Sequence, residues 1–343
     1  MTMTGRQRIQ SALTGIMPDA RPVMLHAFIP AIREAGYTMK QYRESPQIAA
    51  ECHIRFVEKY KVDGILFDVD TAIEASALGA TVDYPEDNTA SVHIPLLETL
   101  EEAGEKLADI DISTHPRIQH SLEAVRILKR HFGDSIYIRG NCDQAPFSLA
   151  CCLRTPAEFM MDILSDEAAA LDLLALTTKI CRQYIRLMAA TGIDMVSTGD
   201  SPAGPSMISP EMYEKFALPC ERELIEEARL HNVSYLLHIC GNTRLILDKM
   251  ATLDLDAVEL DYATPLDEIV THFGSRTTLF GTIDPSGIFN FGTPDKVRAE
   301  AEKIFTAYRD NPRLVIGAGC ALPPTTPAEN IHAIVNFAHS GVF

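Results

Sequence analysis

Eight short apolar, β-rich runs recur along the chain, each followed by a longer amphipathic stretch, and this alternation limits the fold more than any other feature. The runs are "RPVMLHA" at 21–27, "DGILFDV" at 63–69, "SIYIRGN" at 135–141, "DMVSTGD" at 194–200, "SYLLHIC" at 234–240, "AVELD" at 257–261, "TTLFGTI" at 277–283 and "LVIGAGC" at 314–320. Strands interleaved with helical segments predict βαβ units and a mainly parallel sheet. Eight such units predict an α/β fold, a (β/α)8 TIM barrel, with insertions after the early strands. The 343 residues suffice for one large core, and no repeat, low-complexity tract or break in composition argues for a second unit, so residues 1–343 are expected to form a single domain.

Several helices announce their starts. Ser209-Pro210, Thr293-Pro294 and Thr326-Pro327 each place an N-capping residue before a proline suited to the first helical position. Between Val82 and Ile94, Pro85-Glu86-Asp87-Asn88 is turn material between two β-prone pieces, which predicts a small hairpin.

Polar residues fall where the predicted strands end: His26, Asp68 and Asp70, Asn141, Asp200, His238 with Cys240, Asp261, Asp284 and Cys320. In a barrel those ends converge on one mouth. His238 and Cys240, two apart on a strand, share a face and make half of a zinc site. Cys320 lies too far along the chain to be paired with them by spacing, but barrel topology brings the fifth and eighth strand ends together. Gly317 and Gly319 would let the last strand bend close to a ligand. Three ligands leave a position for substrate, as in catalytic zinc sites. Alternatively, His238 is a hydrogen-bonded core histidine and both cysteines are packing residues. The other six of the eight cysteines read mostly as buried free thiols, since they lack the dense spacing of a disulfide scaffold. Of Asp68 and Asp70, one is expected to be buried and hydrogen-bonded and the other solvated.

Charge narrows the partners. Forty-seven acidic against thirty basic residues give a net charge of −17, which would repel a nucleic-acid backbone. No apolar run reaches the length of a membrane span, and the N-terminal stretch has no hydrophobic core for a signal peptide. The expectation is a cytoplasmic protein that binds neither nucleic acid nor membrane; nothing in the sequence sets the oligomeric state.

The segments "HICGNTRLILDKMA", "GDSPAGPSMISPEMYEKFALP", "GTIDPSGIFNFGTPDKVRAEAEKI" and "GAGCALPPTTPAENIHAIV" resemble the uroporphyrinogen decarboxylase superfamily. Within it they are most similar to the cobamide-dependent methyltransferases that move a methyl group between a corrinoid protein and coenzyme M. The match is specific from about residue 190 onward and looser before it. The resemblance implies a (β/α)8 barrel and a zinc ion (Zn2+) that activates a thiol, with His238, Cys240 and Cys320 in the ligand positions. It also implies a corrinoid (methylcobamide) as co-substrate, arriving on a separate protein or free in solution, and a small-molecule thiol as the other reactant.

Asp261, two residues from Glu259 on the same strand face and nearer its end, is the candidate fourth ligand or a partner of a ligand. Asp200 is the catalytic candidate, able to orient His238, accept a substrate proton or stabilise its own loop. His26 and Asn141 are candidates to contact the corrinoid or the substrate. Two alternatives stand beside this reading. Uroporphyrinogen decarboxylation needs several arginines at the mouth for a polycarboxylate, and "VMLHAFIPAIREAGYTMKQYRES" offers Arg33 well past the strand and Tyr37 where a second arginine is expected. A non-catalytic zinc- or tetrapyrrole-binding barrel would keep the fold and lose the chemistry. The direction of transfer and the identity of the thiol are not written in these residues.

Overall fold

The computed structural model describes residues 2–341. All eight runs become parallel strands. In chain order, β1 is Met24–Leu25, β2 Gly64–Phe67, β3 Thr81–Asp83, β4 Ser91–Ile94, β5 Tyr137–Gln144, β6 Met195–Gly199, β7 Ser234–Ile239, β8 Ala257–Leu260, β9 Thr278–Phe280 and β10 Leu314–Val315. One eight-stranded sheet runs β1-β2-β5-β6-β7-β8-β9-β10. A parallel bridge between Val23 and Ile316 joins its two edges. There Met24 N donates to Ile316 O at 3.1 Å and Ile316 N to Pro22 O at 2.8 Å. The result is a single (β/α)8 barrel, and β3 with β4 forms the expected antiparallel hairpin beside its mouth.

The helices between the strands wrap the barrel with one apolar face each. In Pro116–Phe132, Ile118, Leu122, Val125 and Leu128 recur at helical spacing and are buried. Burying such a side chain contributes about 1.5–3 kcal/mol relative to leaving it in water. Thr293 caps Pro294–Ala307 as expected, accepting from Lys296 N. Ser209 caps only a three-residue turn, Pro210–Met212, before a wide turn at Tyr213–Ala217 leads into the helix Leu218–Leu230. Pro219 explains the interruption, because it has no N–H to donate to the carbonyl four residues back. Thr326 does not cap the last helix. That helix is Ala328–His339, and the Thr326 hydroxyl donates to Pro323 O at 2.8 Å instead.

Side chains from every barrel strand meet inside. Met24, Leu66, Tyr137, Met195, Leu236, Ala257, Phe280 and Val315 form one buried cluster with Ile9 and Ala12 of the N-terminal helix Gly5–Thr14. That helix lies across the N-terminal end of the barrel, its Ala12 carbonyl accepting from Thr278 Oγ1 at 3.2 Å and Arg6 N donating to Ser135 O at 3.1 Å. One end of the barrel is therefore filled with packed side chains. The C-terminal strand ends face the other.

Candidate metal centre

At the end of β7, strand alternation turns His238 and Cys240 to the same side. The last strand reaches them because two glycines let it pass close to neighbouring backbone. A Cβ on Gly317 would lie 2.2 Å from Met24 O, and one on Gly319 would lie 2.8 Å from Leu260 O. Cys320 follows directly. His238 Nε2 lies 3.0 Å from Cys240 Sγ, and Cys240 Sγ lies 3.8 Å from Cys320 Sγ across 80 residues of chain. The three ligand atoms all fall within 4.8 Å of one another. The sulfurs are too far apart for a disulfide, whose bond length is about 2.05 Å.

The ring of His238 is oriented from behind. Its Nδ1 donates to the backbone carbonyl of Glu259 at 3.1 Å and lies 3.4 Å from Glu259 Oε1. That leaves Nε2 for the sulfurs. The Cys240 thiol is pulled down to about 3, first by the S–H of Cys320 and then, against burial, by His238. Its partner Cys320 is pushed far up by donating to it. Burial favours a neutral His238, yet its hydrogen bond and attraction to the Cys240 sulfur raise it to about 9. The hydrogen bonds among these three groups occupy the space where a cation of the right size would replace their protons. One imidazole nitrogen and two thiol sulfurs converging in this way fit zinc, which takes such ligands and keeps a further position open in catalytic sites.

Glu259 itself is buried and paired with the guanidinium of Arg139, which also donates through Nε to Ser197 Oγ at 2.8 Å. Burial would raise the Glu259 carboxyl, but Arg139 and then His238 hold it below its ordinary range. The hydrogen bonds continue round the barrel: Ser197 Oγ donates to Asn141 Oδ1 at 3.4 Å, and Asn141 Nδ2 to Asp68 Oδ1 at 3.0 Å. His26 Nε2 meets Asp68 Oδ2 at 2.7 Å. Despite burial, His26 and Asn141 keep Asp68 below its usual carboxylate range. The chain of contacts runs from the candidate metal ligand His238 to His26 on the far wall.

These groups line one cavity of about 620 Å3 at the barrel mouth, which includes His26, Asn141, His238, Cys240, Glu259 and Cys320. Val92 of the hairpin closes part of its side.

Asp200 is brought beside the cavity but not into its wall. It is fully buried, its backbone N–H donates to His238 O at 2.8 Å, and its Oδ1 accepts from Ser148 N at 2.9 Å and Ser148 Oγ at 2.6 Å. Burial raises its carboxyl to about 6. Ser148 sits in the first turn of the helix Pro146–Arg154, whose preceding residue Ala145 offers no capping side chain. Asp200 therefore ties that helix to β6 rather than capping the loop that follows it.

Asp261 does not join the ligand group. Its two oxygens accept from Gly241 N at 3.1 Å and Ala263 N at 2.9 Å. The left-handed turn at Gly241 (φ 78°) presents its N–H to the Asp261 carboxylate and, with Ala263 N, takes up its oxygens. Glu259, one residue inside the strand end, takes the place behind His238. Asp68 and Asp70 are both buried rather than divided between core and solvent, because each has its own hydrogen-bonding partner: His26 for Asp68 and Arg117 for Asp70. Arg139 escaped the sequence reading, although an arginine inside the apolar run "SIYIRGN" signals a buried acidic partner. Of the remaining cysteines, 52, 142, 151, 181 and 220 are buried free thiols and Cys152 is half-buried.

The chain belongs to the uroporphyrinogen decarboxylase (URO-D) family, whose sequence pattern matches residues 4–341. Among its relatives is the methylcobamide:CoM methyltransferase MtaA of Methanosarcina barkeri, 25% identical over 341 residues, 97% of this chain and 96% of that one. The methylcobamide:CoM methyltransferase MtbA of Methanosarcina mazei is 28% identical over 222 residues, 65% of this chain and 63% of the relative's length. In structure the chain is similar to a methyltransferase from Methanosarcina mazei, with a TM-score of 0.89 over 98% of both chains at 22% identity, which establishes the shared fold. No described helix is long and apolar enough to cross a membrane.

Proposed function

We propose that this protein is a zinc-dependent methyltransferase that moves a methyl group between a corrinoid and a thiol. The observation that carries the proposal is the convergence of His238, Cys240 and Cys320 on the wall of the mouth cavity. The similarity to proteins named methylcobamide:CoM methyltransferases supports the reaction class. His238 through Nε2, with Cys240 and Cys320, would hold the metal. A bound zinc ion lowers a thiol's pKa, so that the thiol is held as a nucleophile at neutral pH.

The chain's own residues supply the rest. Glu259 fixes the His238 tautomer through its backbone carbonyl, and Arg139 keeps that carboxylate ionised and in place. The apolar parts of the cavity wall, such as Phe28, Ile29, Val92 and Pro202, limit water around the reacting atoms. In the direction from corrinoid to thiol, the sulfur bonds to the methyl carbon as the carbon–cobalt bond breaks. The electron pair stays with cobalt and the thiol's proton leaves to solvent.

Decarboxylation of a polycarboxylate has less support. Among the residues lining the cavity Arg139 is the single arginine or lysine, and Glu259 already occupies it.

The test is incubation of zinc-replete protein with methylcob(III)alamin and a panel of thiols, following cobalamin demethylation by absorbance. Thiol-dependent demethylation is expected, and it should be lost with zinc in the Cys240→Ser/Cys320→Ser double variant. Thiol-independent release of carbon dioxide from uroporphyrinogen, without methyl transfer, would replace this function with the decarboxylase.

A further inference from the structure

A thiol that attacks carbon must lose its proton, and most titratable groups lining the mouth cavity cannot take one. Burial would raise Asp68 and Glu259, but His26 and Asn141 hold Asp68, and Arg139 holds Glu259, below the ordinary carboxylate range. Both oxygens of Asp70 are taken, one by Ala72 N at 3.0 Å and the other by Arg117. Burial, with neighbouring carboxylates, pushes Asp143 well above that range, so it holds a proton rather than accepting one. Burial likewise pushes up the thiols of Cys151 and Cys152, the latter to about 12. His93, on the hairpin, has its Nδ1 3.2 Å from Asp83 Oδ2 and a side chain 61% exposed, which leaves it in water at the rim.

His26 is different. Its Nε2 donates to Asp68 Oδ2 at 2.7 Å, because an ionised carboxylate can only accept. That fixes the tautomer and puts the ring's lone pair on Nδ1, which has no hydrogen-bond partner among the described residues and is not one of the buried orphaned atoms. The side chain is 15% exposed, onto the cavity that it lines. Asp68 is itself pinned by Asn141 Nδ2 at 3.0 Å and Val69 N at 2.8 Å, and the imidazole stacks on Phe28 with 5.5 Å between ring centroids. Closure of the barrel brings this ring to the metal centre. Val23 bridges Ile316, and Leu322 N, two residues past Cys320, donates to His26 O at 2.8 Å. His26 therefore stands beside the strand that carries Cys320 and across the cavity from His238.

We propose that His26 is the catalytic base that takes the thiol's proton, and that Asp68 orients it for this. The assignment rests on the thiol-methylation reading above and names the proton acceptor within it. The S–H bond breaks, its electron pair stays on sulfur, and the proton forms the Nδ1–H bond of an imidazolium, from which water at the mouth removes it. Asp68 balances the charge so formed, as a carboxylate behind a catalytic histidine does. Of the other titratable groups around the ring, Glu259 on β8 is balanced by Arg139, and His53 in the helix Pro46–Tyr60 stays neutral because burial pushes it down to about 4. A positioned base contributes about 100-fold or more to a rate that proton transfer limits. Where a metal ion already acidifies the thiol, less is left for the base to supply, about tenfold.

The test follows thiol binding rather than turnover. Cobalt(II)-loaded protein is mixed by stopped flow, in weak buffer with a pH indicator, with whichever of 2-mercaptoethanol and 2-mercaptoethanesulfonate gives the stronger sulfur-to-cobalt charge-transfer band. Band growth and proton release are recorded together. His26→Gln keeps a donor for Asp68 but has no basic nitrogen; it should load cobalt as the native chain does, yet develop the band and release the proton about tenfold more slowly. In His26→Ala, added imidazole should restore the rate in proportion to its concentration, a response that a loss of packing does not give. Native rates in His26→Gln, or slow binding in His26→Ala that imidazole does not accelerate, overturn the assignment and leave thiol activation standing. Loss of cobalt from both variants makes His26 a structural residue and overturns it too. If the native chain gives neither band nor proton, thiol activation falls and this assignment falls with it. If band and proton behave as expected but methylcobalamin keeps its methyl group, the proposed transfer fails while the base stands.

Discussion

His238 Nδ1 donates to the backbone carbonyl of Glu259, the residue opposite it in the β7–β8 register, so the sheet itself selects which ring nitrogen faces Cys240. Main-chain geometry is difficult to change by mutation, and the orientation of the imidazole is correspondingly secure. What substitution can change is the set of side chains around it.

The first prediction concerns the metal. Purified protein should hold about one zinc per chain. Cys240→Ser or Cys320→Ser should lower that content, and the double variant should reduce it below about a tenth by elemental analysis. Asp261→Ala should leave it unchanged, since the Asp261 oxygens are held by the N–H groups of Gly241 and Ala263.

The second concerns the buried pair behind the histidine. Arg139→Met leaves Glu259 charged and without its partner in the interior, which should cost about 3–5 kcal/mol in urea denaturation. Adding Glu259→Gln to that variant should recover most of the loss. A double variant as unstable as the single one would show that packing of the arginine, not its charge, matters there.

Asp200 provides a third. Asp200→Asn keeps an acceptor for Ser148 and should retain metal content and turnover. Asp200→Ala removes the anchor and should lower stability by about 1 kcal/mol or more, as loss of a helix cap does. Loss of turnover in Asp200→Asn at unchanged stability and metal content would instead make Asp200 a catalytic acid or base.

The fourth is a pH effect. Asp143 titrates higher in the folded chain than in the unfolded one, so the folded state binds more protons and stability falls as pH rises above the unfolded value of about 3.9. Asp143→Asn removes this term, and asparagine tolerates the left-handed backbone there (φ 55°). The urea midpoint of the variant relative to the native chain should therefore increase between pH 5 and pH 8. A constant difference across that range would contradict the assignment.

Much of this molecule could be read from the order of its residues. All eight strands were legible because a parallel strand buried on both faces is a nearly continuous apolar run, and His238 with Cys240 stood out because they interrupt one. Cys320 required topology as well, since only closure of the barrel makes residues 80 apart neighbours. The choice between Glu259 and Asp261 was not legible. It depends on the Gly241 N–H taking up the Asp261 carboxylate, a contact made only where β7 and β8 lie side by side. The packing of Gly5–Thr14 beneath the barrel was hidden for a similar reason: Ile9 and Ala12 are too few to show which surface they cover.

That helix has a kinetic consequence. On the proposed function, a small reactant and a bulky methyl carrier would share the mouth as their one entrance, because the lower end of the barrel is packed shut. A large carrier seated there blocks the small molecule behind it. The steps must then follow an order: the small reactant enters before the carrier docks, and it departs only after the carrier lifts away. Steady-state kinetics should report this as compulsory-order binding, with excess carrier inhibiting at low concentrations of the small reactant.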